Sequence, residues 1–374
     1  MPSINMLPRY KAIIFTVFIY LLCFVAVELA CSLIVGNKYI AVDPIDERYS
    51  KSIPGYFMPL QNKTILFLGA KPYNVSINLL GFRNVGYADD KPLEYFRDHY
   101  RILCLGDSVT FGLFADGSES YPYLLQQRLL KRSDKIVVFN AGVGGATISD
   151  YLYYIKNKCS QIRPNLVIMN FCNNDFDELI TAKKPMYERL IDKSHLPLWD
   201  RVKRLSCMRI FRKFELAYRY RRYLNKIKDQ REREIILTQS KRLEDILYVD
   251  KNNSGLIGRD PDNPTLIPVW EKYFIDLDQV ISLLNSMDID LLFFIYPTIS
   301  SVFNEGKDYH EILIGHLKEK GVPCIDLRAV FFLRKQEYLR LYLNPPLDYH
   351  LGHLGNEILV NHILNYINDI KHNN

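Results

Sequence analysis

The stretch "RILCLGDSVTFG", residues 101–112, decides the fold and also raises the main functional question. Its first half is an apolar run of the length typical of a buried strand, and Gly-Asp-Ser ends that run abruptly. Ser108 is therefore predicted to stand between a strand and a helix. Because these are ordinary turn residues and serine is a common helix N-cap, the tripeptide alone does not distinguish a nucleophile from a turn residue.

Apolar runs like the one at 101–106 recur along the chain and alternate with helical patterns. The further runs are "KIVVFNAG" (135–142), "PNLVIMNFCNND" (164–175), "IDLLFFIYPT" (289–298) and "GVPCIDLR" (321–328). The helical patterns are "SYPYLLQQRLLKR" (120–132), "ISDYLYYIKNK" (148–158), "LDQVISLLNSM" (277–287) and "NEILVNHILNYINDI" (356–370). Short apolar strands that alternate with helices predict an α/β fold with a parallel sheet covered on both faces.

The composition is that of a packed protein without a metal or redox motif. Of the 374 residues, 48% are hydrophobic and 24% are charged, so a sizeable core is expected. The seven cysteines form no CxxC pair and have no His-rich segment beside them. Zinc and thiol-redox functions are therefore not supported, and the odd count argues against a complete disulfide framework.

The N-terminus carries an apolar segment long enough to cross a membrane. Residues 12–35 contain a single charge, Glu28, and as a helix they would span roughly 36 Å against a hydrocarbon core of about 30 Å. Arg9 and Lys11 precede the segment, so residues 1–11 are expected to stay cytoplasmic and the rest to be periplasmic or extracellular. The alternatives are a cleaved signal peptide, whose apolar region is shorter, and a buried helix of a soluble protein.

Two further segments lie outside the regular pattern. Residues 36–95 are mixed in composition and are predicted to form a juxtamembrane segment with short strands, "KTILFLG" and "VSINLLGFRN". Residues 178–270 are charged and predicted to be a mainly helical insertion in the domain that begins at residue 96. Within this insertion, residues 200–245 carry 15 Lys or Arg and 7 Asp or Glu, so the net charge of +6 is concentrated there.

Three interpretations of the basic insertion are open. In the first it binds anionic lipid headgroups, in the second it holds an acidic glycan over a pocket, and in the third it is a solvated helical arm. Nucleic acid is not an expected partner, because the positive charge is local and the domain is predicted to be exported. The oligomeric state is not predictable from the sequence.

Four segments that follow strands, or precede the last helix, carry residues suited to acyl chemistry. In an open parallel sheet, functional groups gather beyond the carboxyl ends of the strands. The segments contain Ser108, the glycines of "NAGVGGAT" (140–147), Asn174 of "NFCNND" (170–175), and Asp348 and His350 of "PLDYHLGHLGN" (346–356). A serine hydroxyl needs an imidazole to remove its proton, and a carboxylate to orient that imidazole.

An acyl-transfer site also needs donors for the oxyanion, each worth roughly 3–4 kcal/mol of barrier height. The expected donors are the backbone N–H groups of Ser108 and Gly145 and the side-chain amide of Asn174. Gly142 and Gly144 compete with Gly145 for this role, and His353 competes with His350 as the base. Asp107 and Asp175 are expected to bond nearby backbone groups and to have a structural function.

The order of "GDSVTFG", a glycine-bearing block, "NND" and "DYHLGHLGN" resembles that of the SGNH hydrolases, the GDSL esterase/lipase superfamily. The resemblance covers residues 101–177 and 288–370. It is closest in type to membrane-anchored SGNH proteins of bacterial envelopes, which often carry an N-terminal helix and a segment like "NLLGFRN" before the first block. Two departures are Cys172 in place of a glycine and Asp-x-His in place of the commoner Asp-x-x-His.

The resemblance implies a three-layer α/β/α sandwich with five parallel strands, of the SGNH or flavodoxin-like type. It implies a catalytic triad of Ser108, His350 and Asp348, an oxyanion hole of Ser108, Gly145 and Asn174, and no metal or organic cofactor. The expected function is a membrane-anchored serine esterase that hydrolyses acyl esters, above all O-acetyl groups of an envelope polysaccharide. The alternatives are an O-acyltransferase to a glycan hydroxyl with the same triad and a non-catalytic envelope assembly protein.

Overall fold

The computed structural model describes only part of the chain. The described residues are 7–35, 38–39, 54–57, 59–65, 73–87, 89–171, 175, 205–208, 210–211, 214, 218, 267–295, 297, 310–342 and 350–373. Most of the predicted insertion at 178–270 and two expected site residues, Asn174 and Asp348, therefore lie outside the described residues.

A five-stranded parallel sheet forms the centre of the domain, as the sequence predicts. Its strands are β4 (Tyr100–Gly106), β5 (Ile136–Gly142), β6 (Leu166–Phe171), β7 (Asp290–Ile295) and β8 (Cys324–Asp326). They lie in the spatial order β5-β4-β6-β7-β8, which is the doubly wound order of flavodoxin-like folds. The strand order reverses direction between β4 and β6, and a crevice beyond their carboxyl ends is where such sheets bind ligands.

Helices cover both faces of the sheet. Successive side chains of a strand point to opposite faces, so an apolar strand presents apolar side chains on both of them. Along β4, Leu103 and Leu105 point into one hydrophobic core, and Ile102 and Cys104 point into the other. The first core is covered by α4 (Ile148–Asn157), α5 (Cys159–Ile162), α6 (Ile267–Ser286) and α7 (His310–Glu319). The second is covered by α3 (Tyr121–Leu130), α8 (Arg328–Leu333), α9 (Tyr338–Leu341) and α10 (His353–Asn373). The predicted three-layer α/β/α fold is thus confirmed.

The segment before residue 96 is built into the same core. Strands β1 (Lys38–Tyr39), β2 (Gln61–Ile65) and β3 (Tyr73–Ile77) form a small sheet of their own. Large side chains of this part of the chain lie in the first core: Tyr56, Phe57, Tyr73, Val75, Ile77, Leu80, Phe82 and Val85. Tyr154 Oη on α4 donates to the Pro54 carbonyl at 2.7 Å, and Nζ of Lys158, the C-cap of α4, donates to the Gly55 carbonyl at 2.6 Å.

The N-terminal helix α1 (Leu7–Val35) is long and apolar enough to cross a membrane. Its span from Tyr10 to Leu33 has a mean hydropathy of 2.6 and is exposed along almost its whole length. Among the described side chains of that span, only Glu28 and Cys31 are partly covered. The Glu28 carboxylate accepts hydrogen bonds from the backbone N–H groups of Ser206 and Cys207. The one acidic side chain of the apolar span is therefore bonded to the first helical residues described in the insertion.

Candidate active site

Ser108 is the first residue of the short helix α2 (Ser108–Phe111), directly beyond the end of β4. The N-cap of this helix is Asp107, whose Oδ1 accepts the Val109 N–H at 3.0 Å. Because Asp107 caps the helix, the Ser108 hydroxyl is not needed for that purpose. The prediction that Asp107 bonds a nearby backbone group is confirmed, and the interpretation of Ser108 as an N-cap is wrong.

The Ser108 hydroxyl meets a histidine from the other end of the chain. Ser108 Oγ lies 2.7 Å from His350 Nε2, at hydrogen-bond distance, although the two residues are 242 positions apart. Asp107 Oδ2 is a weaker neighbour of the hydroxyl at 3.4 Å. An imidazole nitrogen at this distance is placed to accept the hydroxyl proton, which is the requirement for activating a serine nucleophile.

The turn that presents His350 is fixed by tight backbone packing. Leu351, the next residue, forms a bridge with Tyr342, and the Gly352 N–H donates to the Leu341 carbonyl at 2.7 Å. A Cβ at Gly352 would meet the Arg340 carbonyl oxygen at 2.6 Å, so only glycine fits there. Since α10 begins at the next residue, this glycine sets where His350 stands relative to the sheet.

A buried chain of polar groups supports the start of helix α2, which carries Ser108, and the sequence did not indicate it. Asn170 Nδ2 donates to Asp107 Oδ1 at 3.1 Å, and Thr110 Oγ1 donates to Asn170 Oδ1 at 2.8 Å. The Tyr121 hydroxyl lies 3.1 Å from Thr110 Oγ1 and donates to it, because the threonine proton is already used. Burial raises the pKa of Tyr121 well above its ordinary value, so the phenol keeps its proton. These bonds hold Asp107, and with it the start of α2, in one position.

The glycine block after β5 forms a turn from Val143 to Ala146, closed by a bond from the Ala146 N–H to the Val143 carbonyl. Gly145 lies in this turn with φ +77°, a left-handed conformation that favours glycine, and it is exposed. The backbone N–H of the competing Gly142 already donates a hydrogen bond to Asn140 Oδ1, at 3.0 Å. Of these two glycines, Gly145 is therefore the better placed to offer a backbone donor.

Asp175, which was expected to have a structural function, and His353, the competitor of His350, both take structural positions. Asp175 Oδ1 accepts the Ile148 N–H at 3.0 Å, which confirms the expected backbone-bonding function and ties the end of the "NND" block to the start of α4. His353 is exposed at the first position of α10, with its Nε2 3.7 Å from the Glu357 carboxylate. Asn174, Asp348 and Cys172 lie outside the described residues.

A serine at the first turn after a central strand, bonded to a histidine at the entry of the last helix, is the arrangement of an α/β serine hydrolase. The family comparison specifies the class further. The chain belongs to the GDSL-like lipase/acylhydrolase family, whose model matches residues 104–358, more than half of its length. It is thus an ester-hydrolysing serine hydrolase of the SGNH/GDSL type, and the resemblance stated from the motifs is confirmed.

Several solved structures are similar to this chain at low sequence identity. The acetyl xylan esterase AlAXEase is 15% identical with a TM-score of 0.41, over 71% of this chain and 99% of that one. The psychrotrophic esterase EstA from Pseudoalteromonas sp. is 14% identical with a TM-score of 0.39, over 74% and 100%. A two-domain esterase active on acetylated mannans is 11% identical with a TM-score of 0.40, over 74% and 51%. No protein with a curated description matches the sequence.

Proposed function

We propose that this protein hydrolyses acyl esters, principally O-acetyl esters, through a covalent acyl-Ser108 intermediate. The 2.7 Å contact between Ser108 Oγ and His350 Nε2 carries the proposal. His350 removes the hydroxyl proton as Ser108 attacks the acyl carbon, and returns that proton to the leaving alcohol. It then activates the water that releases the acid. Asp348 orients the imidazole and stabilises its charged form, an assignment that rests on the family motif.

The oxyanion of the tetrahedral intermediate is held by three donors in this proposal. They are the backbone N–H groups of Ser108 and Gly145 and the side-chain amide of Asn174. The position of Ser108 supports the first, because N–H groups in the first turn of a helix have no carbonyl partner within that helix. The turn conformation of Gly145 supports the second, and the family motif supports the third.

We further propose that the esterase is held at a membrane by its N-terminal helix. Residues 1–11 stay cytoplasmic, 12–35 form the anchor, 36–95 the juxtamembrane segment, and 96–374 the hydrolase domain with its insertion at about 178–270. The catalytic domain then faces the periplasm or the cell exterior. Length, hydropathy and exposure of α1 support the anchor, and a retained anchor also accounts for the bonds from Ser206 and Cys207 to Glu28. The substrate in this setting is an acylated envelope polysaccharide.

The decisive experiment compares the full-length protein, purified in detergent, with Ser108→Ala on p-nitrophenyl acetate and on longer-chain esters. We expect wild-type turnover and a loss of about 10³-fold or more in kcat for the variant, because the nucleophile is gone. Ser160→Ala, an exposed helix serine, is the matched control and keeps wild-type activity. Preference between chain lengths then tests the proposed acetyl specificity.

Labelling with a serine-directed phosphonate separates the remaining possibilities. A wild-type protein that is labelled at Ser108 but hydrolyses no ester points to transfer of the acyl group to a glycan hydroxyl, which an added acceptor glycan would reveal. A folded protein with neither turnover nor labelling at Ser108 contradicts the catalytic proposal and favours an assembly function.

A further inference from the structure

Arg83, from the "NLLGFRN" segment, is completely buried beside the helix that carries Ser108. Its guanidinium donates to the carbonyl oxygens of Phe111 and Gly112 and, at 2.7 Å, to that of Ala115. The same group lies over the Phe111 ring, 4.7 Å from its centroid. Burial lowers the pKa of Arg83 to about 10, so the side chain remains protonated at neutral pH and all its N–H groups stay donors. One side chain thus fixes three carbonyls at the end of α2 and in the loop beyond it.

These three carbonyls flank Phe114, a residue in contact with the catalytic histidine. The Phe114 ring meets the His350 ring edge to face, with centroids 5.4 Å apart and an interplanar angle of 86°. The Phe114 ring also contacts Tyr73 on β3, with centroids 6.0 Å apart. Phe114 has φ +64°, a left-handed conformation that is unfavourable for a non-glycine residue and is kept only where the surroundings impose it. The Arg83 bonds hold the residues on both sides of Phe114.

We propose that Arg83 is a positioning residue of the esterase: by holding the loop from Phe111 to Ala115, it keeps the Phe114 ring against His350 and so keeps the imidazole directed at Ser108. The inference rests on the proposed function, because it assigns a consequence to the same Ser108–His350 pair. Arg83 itself touches no reacting atom. Its effect on the reaction passes through the loop and the Phe114 ring.

Arginine is the residue type that this position requires. Its planar fork supplies five donors over a fixed spread, whereas a lysine ammonium is a point with three donors and does not reach all three carbonyls at once. The packing leaves no room for another arrangement, since a Cβ at Gly112 would stand 2.8 Å from Arg83 Nη1. Lysine at position 83 is therefore expected to keep the charge but to release part of the loop.

The test measures kcat and KM for p-nitrophenyl acetate in Arg83→Lys, Phe114→Leu and the double variant, with the full-length protein. We expect each single variant to lose about 10- to 100-fold in kcat with less than a threefold change in KM, because a displacement of about 1 Å at a catalytic group has that effect. The double variant should lose no more than the worse single variant, since both changes interrupt the same sequence of contacts.

Tyr154→Phe is the matched control, because Tyr154 is also buried and also donates to a backbone carbonyl, that of Pro54. We expect it to lower Tm and leave kcat unchanged. The inference is overturned if Arg83→Lys or Phe114→Leu lowers Tm while kcat stays at the wild-type value, or if their losses in kcat multiply in the double variant. If Arg83→Lys does not fold, the kcat of Phe114→Leu is the deciding measurement, and a wild-type kcat in that variant overturns the inference. Absence of both wild-type turnover and Ser108 labelling contradicts the proposed function instead, so the two failures are distinguishable.

Discussion

Gly142 marks the closest approach between the end of β5 and helix α2, and its replacement by alanine should displace Ser108 at the start of that helix. A Cβ at this position would stand 2.1 Å from the Phe111 backbone nitrogen and 2.6 Å from the Thr110 carbonyl carbon. Real Cβ contacts essentially never fall below 3.0 Å, so strand and helix must separate by about 0.9 Å, the difference between 3.0 and 2.1. Both obstacles are backbone atoms, which cannot move aside as a flexible side chain would.

The expected consequence is a loss of catalysis larger than the loss of stability. If the displacement falls along the 2.7 Å contact from Ser108 to His350, that contact lengthens to about 3.6 Å, beyond hydrogen-bond range. A misplacement of this size costs about 100-fold in rate. Overpacking of this kind costs about 1–3 kcal/mol of unfolding free energy, which leaves the protein folded at assay temperature.

The assay is ester hydrolysis by Gly142→Ala beside wild type, with thermal unfolding monitored on the same samples. Gly315→Ala supplies the control: it is the same chemical change, placed on the exposed side of α7 where nothing lies within 4 Å. That variant should keep full activity and gain about 0.5–1 kcal/mol, because alanine suits a helix interior better than glycine. A folded Gly142→Ala protein with kcat/KM within threefold of wild type would refute the reasoning.

Three further predictions follow from buried groups away from the Ser108–His350 contact. Burial lowers the pKa of Lys158 to about 8, so the unfolded chain binds more protons between pH 8 and 10.5. Wild-type stability should therefore rise with pH across that window relative to Lys158→Met, as chemical denaturation at several pH values would show. Asp175→Ala removes the acceptor of the Ile148 N–H and should cost about 1–2 kcal/mol in the same denaturation assay, whereas Asp175→Asn keeps an acceptor oxygen and should cost less. A fragment that begins at residue 96 should fail to give a cooperative thermal transition, and one that begins at residue 40 should give one. The eight large side chains of 56–85 in the core each contribute about 1.5–3 kcal/mol, and their sum of about 12–24 kcal/mol is as large as or larger than the stability of a typical domain, about 5–15 kcal/mol.

The sheet was predictable because four of its strands, β4 to β7, are largely buried on both faces and so appear as apolar runs, whereas the edge strand β8 is only partly buried. The strands of the five runs begin and end within a few residues of the predicted positions. The helices were less evident. Helix α6 begins at Ile267, ten residues before the predicted pattern. Pro268 is typical of a helix interruption in a sequence, but proline is well tolerated in the first turn of a helix. Helices α7 and α8 were not predicted; α8 has only six residues and no side-chain cap.

The pairing of Ser108 with His350 was predictable from the order of motifs, but the contacts that hold them were not. Asp107 rather than Ser108 caps α2, and a stretch of Gly-Asp-Ser gives no sign of which side chain turns back to the helix. Asn170 was quoted as part of a functional block, yet its bonds to Asp107 and Thr110 span 63 and 60 residues and are set only by the packing of neighbouring strands. Arg83 is similar: the motif is visible in the sequence, whereas the carbonyls that it binds are a property of the folded loop.

The path of the chain from the N-terminal helix to the site restricts where the enzyme can act. Only residues 36 and 37 separate the end of α1 from β1, which pairs with β2, and β2 pairs with β3. Tyr73, Val75 and Ile77 of β3 lie in the first core, and Arg83 follows them before the loop beside Ser108. With α1 in a membrane, as we propose, these strand pairings hold the catalytic domain close to the bilayer. We therefore expect acyl groups on glycans that are made at or pass close to the membrane to be better substrates than the same groups on polymer released into solution.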